Sequence, residues 1–210
     1  KKDFDYMILM DGDGEDNPSD LPIIIKNVLE KENISVVAAR KKRSEGLLFT
    51  LFYNLHKLIT LIFTGKNINF GHYSCLTRED VILLSSKKTL WSNFAGAAKK
   101  FIPNLHCIPT IRGLRYYGPS KMPLKGLIIH SMSIIASFKY EVLLRTLLFI
   151  FFFSFIYVKI NQGGIFLFFN FLIAFFCLII FVISKRESSE DLKNCQQRIQ
   201  NIQNIHTTRL

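Results

Sequence analysis

The first forty residues fall into a short apolar run, a polar turn, a helical repeat and a second apolar run. Tyr6, Met7, Ile8, Leu9 and Met10 are consecutive apolar positions, the pattern of a fully buried strand in a parallel sheet. Residues 21–32 then place apolar side chains at Leu21, Ile24, Ile25, Val28 and Leu29, which is helical spacing, with Pro22 in the first turn where it is tolerated. Ile34, Ser35, Val36, Val37, Ala38 and Ala39 read as the next strand. Strand, helix and strand in this order predict a right-handed crossover on a parallel sheet. Residues 46–64 form a mostly apolar helix interrupted by Asn54, His56 and Lys57, packed or interfacial rather than spanning, with His56 on a solvated face. Residues 66–80 carry few periodic cues and read as a loop leading into a helix. Residues 91–102 read as helical and 105–110 as extended. Residues 111–126 read as a basic loop containing Gly113, Gly118, Pro119 and Pro123.

From Lys125 the pattern changes. Residues 127–138 mix apolar and small polar positions between Lys125 and Lys139, which suits a helix lying on a membrane surface. Residues 142–158 are almost entirely apolar apart from Arg145, and residues 163–184 are apolar except for Asn170, so two spans are the simplest reading. The connection at 159–162 holds one cation, Lys159, whereas Lys139, Arg145, Lys185 and Arg186 flank the outer ends. That asymmetry places both outer ends in the cytoplasm. The expected organisation is a globular part at 1–124, a juxtamembrane segment at 125–141, a transmembrane hairpin at 142–184 and a polar cytoplasmic tail at 185–210.

Composition narrows the partners. A net charge of +11 accompanied by 20 phenylalanines points to a membrane surface rather than to a nucleic-acid duplex. Cys75, Cys107, Cys177 and Cys195 are scattered with no C-x-x-C spacing, so neither a zinc site nor a disulfide framework is indicated. The chain opens directly on what reads as an internal strand, and about 80–100 further residues carrying the first strands of the sheet are expected upstream.

The chemistry concentrates in residues 11–20, where Asp11, Asp13, Glu15, Asp16 and Asp20 accompany Gly12, Gly14, Asn17 and Pro18. A plain solvated turn uses the same residues. A calcium loop would need Gly at Asp16 and Glu at Pro22 and fails at both. The third reading places the stretch at the carboxyl end of a strand in an open α/β sheet, where ligands bind. Asp11 and Asp13, two apart in extended chain, would then face one ligand, and paired hard oxygens suit Mg²⁺ or Mn²⁺ carrying a phosphate group. Arg40, Lys41, Lys42 and Arg43 end the next strand on that same edge. They read either as a solvated run or as cations for a diphosphate or lipid phosphate.

The stretches "MDGDGEDNPSDLP", "AARKKRSEG", "LFYNLHKLI" and "RYYGPSKMPLKGL", in this order and followed by an apolar hairpin, resemble the membrane-anchored family-two glycosyltransferases that act on polyprenyl phosphates. Dolichyl-phosphate mannose synthases and bactoprenol glucosyltransferases are familiar members. The resemblance implies a Rossmann-like GT-A catalytic domain, here lacking its first strands. It also implies a nucleotide-sugar donor, Mg²⁺ or Mn²⁺, and inverting transfer onto a polyprenyl phosphate at the cytoplasmic membrane face. By resemblance Asp11 and Asp13 are the metal-holding Asp-x-Asp pair, with Glu15 where the family usually has Gln and also able to face the metal. Asp16 and Pro18 continue the motif. Arg40 and Arg43 fall on its basic positions. Arg115, Ser120 and Lys121 fall on an R-x-x-G-x-S-K pattern near the reacting phosphates. The chain departs from the family at Gly71-His72-Tyr73-Ser74, where an acidic residue and an arginine are usual. His72 takes the carboxylate's slot and would position a reactant through a neutral ring nitrogen. That departure also motivates a second expectation, a membrane-bound lipid-phosphate binder or scaffold that has lost catalysis. Net charge alone would suggest a nucleic-acid binder, against which the two spans argue.

Overall fold

The computed structural model describes residues 3–31, 34–42, 47–111, 113, 115–118, 122–160, 164–195 and 197–198, and only the backbone of residues 40–42, 47–49 and 160. Strand β1 is Tyr6–Leu9, followed by a single 3-10 turn at Pro18–Asp20 and helix α1, Leu21–Glu30. Then come β2 (Val36–Lys42), α2 (Leu47–Thr64) and β3 (Phe70–Thr77). Short helices α3 (Arg78–Ser85), α4 (Thr89–Ser92) and α5 (Phe94–Phe101) precede β4 (His106–Ile111). The chain continues as α6 (Leu124–Ala136), α7 (Lys139–Ile160) and α8 (Gly164–Ser184).

The protein is a mixed α/β structure on a four-stranded sheet of order β1-β3-β2-β4. Four sequence expectations change here. Residues 70–77, expected as loop, form a strand that pairs antiparallel with both β1 and β2. β1 and β2 therefore run in the same direction without touching, and the sheet is mixed rather than parallel; among the described residues only β2 and β4 pair in parallel. β1 is also not fully buried. It pairs on one side only among the described residues, and Ile8 and Met10 lie open. The helix expected over 91–102 divides at Asn93, whose backbone is extended and whose side chain accepts the Gly96 N–H at 2.8 Å, capping α5.

The sheet is covered on both faces, and β2 shows why. Val36 and Ala38 join Ile24 and Val28 of α1, Tyr73, Cys75 and Ile108 on one face. Val37, between them, joins Phe70, Leu76, Leu84, Phe94, Ala97, Ala98 and Ile102 on the other. That is the period-two alternation of extended chain. Burying a side chain such as Ile24 contributes about 1.5–3 kcal/mol, so these two layers hold the sheet.

A third cluster joins the helices. Ile135, Ala136, Val142, Cys177 and Ile180 pack together with Ile59 and Phe63 of α2. The outer ends of α7 and α8 meet the globular part at one polar knot. The Glu187 side chain is buried, accepts from Thr89 Oγ1 at 2.9 Å, and lies 3.4 Å from Lys139 Nζ. Beside it Lys100 Nζ donates to the Ser137 carbonyl and sits over the rings of Phe101 and Phe138.

α7 and α8 are long and apolar enough to cross a membrane, and only 11% of each apolar stretch is buried. At 1.5 Å per residue each is about 30 Å long, the thickness of a bilayer's hydrocarbon core. They pair through Phe153 stacked on Phe166 and Phe169, and through Asn170 Nδ2 donating to Ser154 Oγ at 3.0 Å. The two apolar stretches thus pack as paired helices, with α7 starting at Lys139, ahead of the expected first residue.

Candidate functional site

One edge of the sheet collects the polar residues singled out in the sequence. β1, β2 and β4 all end there, and β3 begins there, as the pairs Arg40 with Thr110 and Lys42 with Ile111 show. Residues 11–16 follow β1 at this edge, and residues 113–118 follow β4. Arg40 is placed there by its backbone. Arg43, Ser120 and Lys121 lie outside the described residues.

Residues 11–16 are not extended, so Asp11 and Asp13 are not presented as alternate residues of a strand. The chain turns after Leu9, with Gly14 at φ 92°. Asp16, buried, accepts the Asp11 N–H at 2.9 Å, and Asp13 Oδ1 accepts the Glu15 N–H at 3.1 Å. Carboxylates that satisfy backbone donors this way fix the turn itself.

The segment after β4 is zipped onto this turn. Gly113 N–H donates to the Glu15 carbonyl at 2.8 Å, and Tyr116 N–H donates to the Asp13 carbonyl at 2.9 Å. Both glycines are needed for the approach. A Cβ on Gly113 would stand 2.5 Å from the Gly14 oxygen, and one on Gly14 would stand 2.8 Å from the Tyr116 ring. The approach delivers Arg115. Its Nε lies 2.9 Å from Glu15 Oε1, and its Nη2 lies 3.3 Å from both Glu15 Oε2 and Asp13 Oδ2. Two carboxylates thus share one guanidinium, a bidentate arrangement with Glu15.

A shallow recess beside the turn is lined by Glu15, Asp16, Asn17, Asp20, Ala38, Tyr73, Thr110 and Ile111. Tyr73 Oη donates to the Asn17 carbonyl at 2.8 Å. Burial, and then the negative charges of Asp20 and Asp16, push its pKa up to about 12. The Tyr73 hydroxyl therefore remains a donor at neutral pH. His72, the next residue along β3, points to the opposite face and stacks on Phe94 with ring centroids 5.4 Å apart. The structure thus brings together Asp13, Glu15 and Arg115, keeps Asp11 in the same turn, and puts the His72 ring against α5.

Tyr73 and Tyr116 were not singled out from the sequence. Tyr73 lies in β3, where the sequence carries few periodic cues. The content of Phe, Tyr, Cys and Thr in residues 70–77 was the available strand signal.

As ligands for a divalent cation the residues fit in part. Asp13 and Glu15 already offer hard oxygens to a common cation, Arg115. Among the described residues no three carboxylate, imidazole or thiol groups converge on one point. Mg²⁺ commonly takes one or two carboxylates and completes its shell with phosphate oxygens and water, and this donor set matches that pattern. Comparison of the chain with protein-family models, with characterised proteins and with solved structures finds no match.

Proposed function

We propose that the protein transfers a sugar from a nucleotide-sugar donor to a polyprenyl phosphate at the cytoplasmic face of a membrane, with inversion at the anomeric carbon, and that α7 and α8 anchor it there with both outer ends cytoplasmic. The observation that carries this reading is the pairing of Arg115 with Asp13 and Glu15 at the carboxyl edge of an α/β sheet joined to an apolar hairpin. Carboxylates for a metal and a guanidinium for phosphate are the two things a diphosphate leaving group requires.

In the reaction an oxygen of the lipid phosphate forms a bond to the anomeric carbon as the bond to the nucleoside diphosphate breaks, and the electron pair leaves on the diphosphate. The phosphate is already anionic at neutral pH, so no strong general base is required. Mg²⁺ or Mn²⁺, held by Asp13 with Asp11 and Glu15, would neutralise charge on the departing diphosphate. Arg115 lies within reach of the same carboxylates and would turn its guanidinium toward phosphate oxygens, with Arg40, Arg43, Ser120 and Lys121 as the further phosphate contacts. Loss of one such stabilising group raises the barrier by about 2.7–4 kcal/mol.

A specific observation favours a second reading. Arg115 pairs with both carboxylates and the exposed His72 ring stacks on Phe94, on the face away from the acidic turn, which suits a scaffold that binds a lipid phosphate without catalysis. The protein expressed from its complete coding sequence, reconstituted and supplied with a panel of nucleotide sugars and both metals, separates the two. Transfer that falls by about a hundredfold or more in Asp13→Asn supports the enzyme. Normal folding and lipid binding with no transfer to any acceptor decides for the scaffold.

A further inference from the structure

Helix α2 is apolar on its outer face as well as at its packed one. Its inward side carries polar residues beside Ile59 and Phe63: His56, expected on a solvated face, turns inward with Nε2 2.9 Å from the Ser131 carbonyl of α6, and Thr60 and Thr64 are each only 2% exposed. Both threonine hydroxyls are satisfied by α2's own carbonyls, at His56 and Thr60. Its outward stripe is apolar. Leu51, Leu55, Leu58 and Ile62 recur at intervals of four, three and four residues, and they are 63%, 48%, 53% and 39% exposed. Phe52 and Leu61 flank them, also open. A helix facing water would carry polar residues on its outer face, and a soluble monomer rarely leaves such a contiguous apolar patch uncovered.

The carboxyl-terminal end of α2 adjoins the hairpin. Phe63 of α2 packs its ring 5.9 Å from Phe149 of α7 and 4.5 Å from Phe176 of α8. Arg145 of α7 donates to the Ile62 carbonyl at 3.1 Å, placing a cation at the carboxyl end of α2. A bilayer that surrounds the open faces of α7 and α8 therefore reaches α2 as well. From these observations we infer that the outer face of α2 is immersed in the acyl chains of the same membrane, making α2 a third lipid-contacting helix. The inference rests on the reading of α7 and α8 as spans.

The consequence reaches the candidate site. α2 starts five residues after β2 ends, and β2 ends at the edge that holds the acidic turn. Immersing α2 holds that edge at headgroup level, where a membrane-borne phosphate lies.

The chain has a single tryptophan, Trp91, which provides the test. In a Trp91→Phe background a tryptophan is placed at Leu55, at Leu58 or, as a hairpin control, at Phe171, and the full chain is reconstituted into vesicles of acyl-brominated phosphatidylcholine. The three sites are open, so one failing variant does not remove the test. Leu55→Trp and Leu58→Trp are expected to lose most of their emission to bromine, as Phe171→Trp does, and to resist aqueous iodide. Quenching at Phe171→Trp with iodide-accessible emission at both α2 sites overturns the inference and leaves the hairpin standing. Emission at both α2 sites that neither bromine nor iodide reaches means protein covers the face, and overturns it too. Failure of bromine to reach Phe171→Trp removes the spans and the inference together. None of these readouts depends on sugar transfer.

Discussion

Around the sheet, Ile24, Val36, Val37 and Leu76 are sealed between layers, and the polar groups of the acidic turn are held by named hydrogen bonds. In α7 and α8, Phe151, Phe171, Leu144 and Leu178 lie open, and polar contacts between the two helices include the single amide at Asn170. The same chain thus shows opposite burial patterns in its two halves, the contrast that the reading of α7 and α8 as spans accounts for, because burial is set by the surrounding solvent. Water drives apolar groups inward, whereas lipid tails give them no reason to hide. Specific geometry accordingly sits in the sheet half, and the hairpin relies on length, apolarity and a few packed rings. The two regimes meet at the Glu187 knot.

The largest test attacks that junction. Glu187→Ala leaves the Lys139 ammonium in a mostly buried site without its carboxylate and is expected to cost about 3–5 kcal/mol. Thermal unfolding in detergent micelles would show it. The double variant Lys139→Met/Glu187→Leu removes both charges and should recover most of the loss; if it is no better than the single variant, the seam is not held by that pair.

Next comes the contrast between two glycines. Gly14→Ala forces a side chain into positive φ against the Tyr116 ring and is expected to cost about 2 kcal/mol. Gly164→Ala, at the start of α8 with nothing within 4 Å of the added carbon, should leave stability unchanged. Equal effects at the two positions in the same unfolding assay would erase the distinction between a close-fitted half and a loosely fitted one.

A smaller effect is expected at Arg115, whose side chain is 31% exposed. Arg115→Ala should cost about 1.5 kcal/mol, reduced from a fully buried charged contact by solvent screening, and the cost should shrink in high salt. The same variant removes the guanidinium that competes for Asp13 and Glu15, so Mn²⁺ titration followed by electron paramagnetic resonance should show tighter binding than in the wild type. Unchanged or weaker binding would mean that these carboxylates do not exchange Arg115 for a metal.

Smallest is Tyr73→Phe, which removes the bond to the Asn17 carbonyl at a cost of about 1 kcal/mol. The pH dependence follows from the raised pKa. The folded protein keeps the Tyr73 proton up to about 12, while the unfolded chain releases it near 10.0, so this contribution is complete below pH 10 and is lost as pH rises between those values. Tyr73→Phe should lack that share of the alkaline loss. Phenolate absorbance titrated in both proteins would show whether the wild type has one extra late-titrating tyrosine.

Much of this architecture is periodic and therefore readable. The helical spacing through Leu21, Ile24, Val28 and Leu29 became α1, the apolar run at 34–39 became the start of β2, and the two long apolar stretches became α7 and α8. Each depends on neighbours within a turn or two of chain, so each leaves a local signal. The composition of the acidic stretch marked it as polar and turn-forming, but its extended presentation of Asp11 and Asp13 did not hold, because the turn is closed by Asp16 and Asp13 on backbone N–H groups. The insertion of β3 between β1 and β2 was not legible, because pairing is set by surfaces that meet only after the chain folds, and a strand without a strict alternation carries little trace of its partners. Arg115 meets Glu15 across a separation of 100 residues, and His72 and Tyr73 part to opposite faces because a strand turns successive side chains apart. Local chain chemistry fixes which residues make a helix, a turn or an apolar span. Long-range packing fixes which charges face each other, and on that the chemistry at this sheet edge depends.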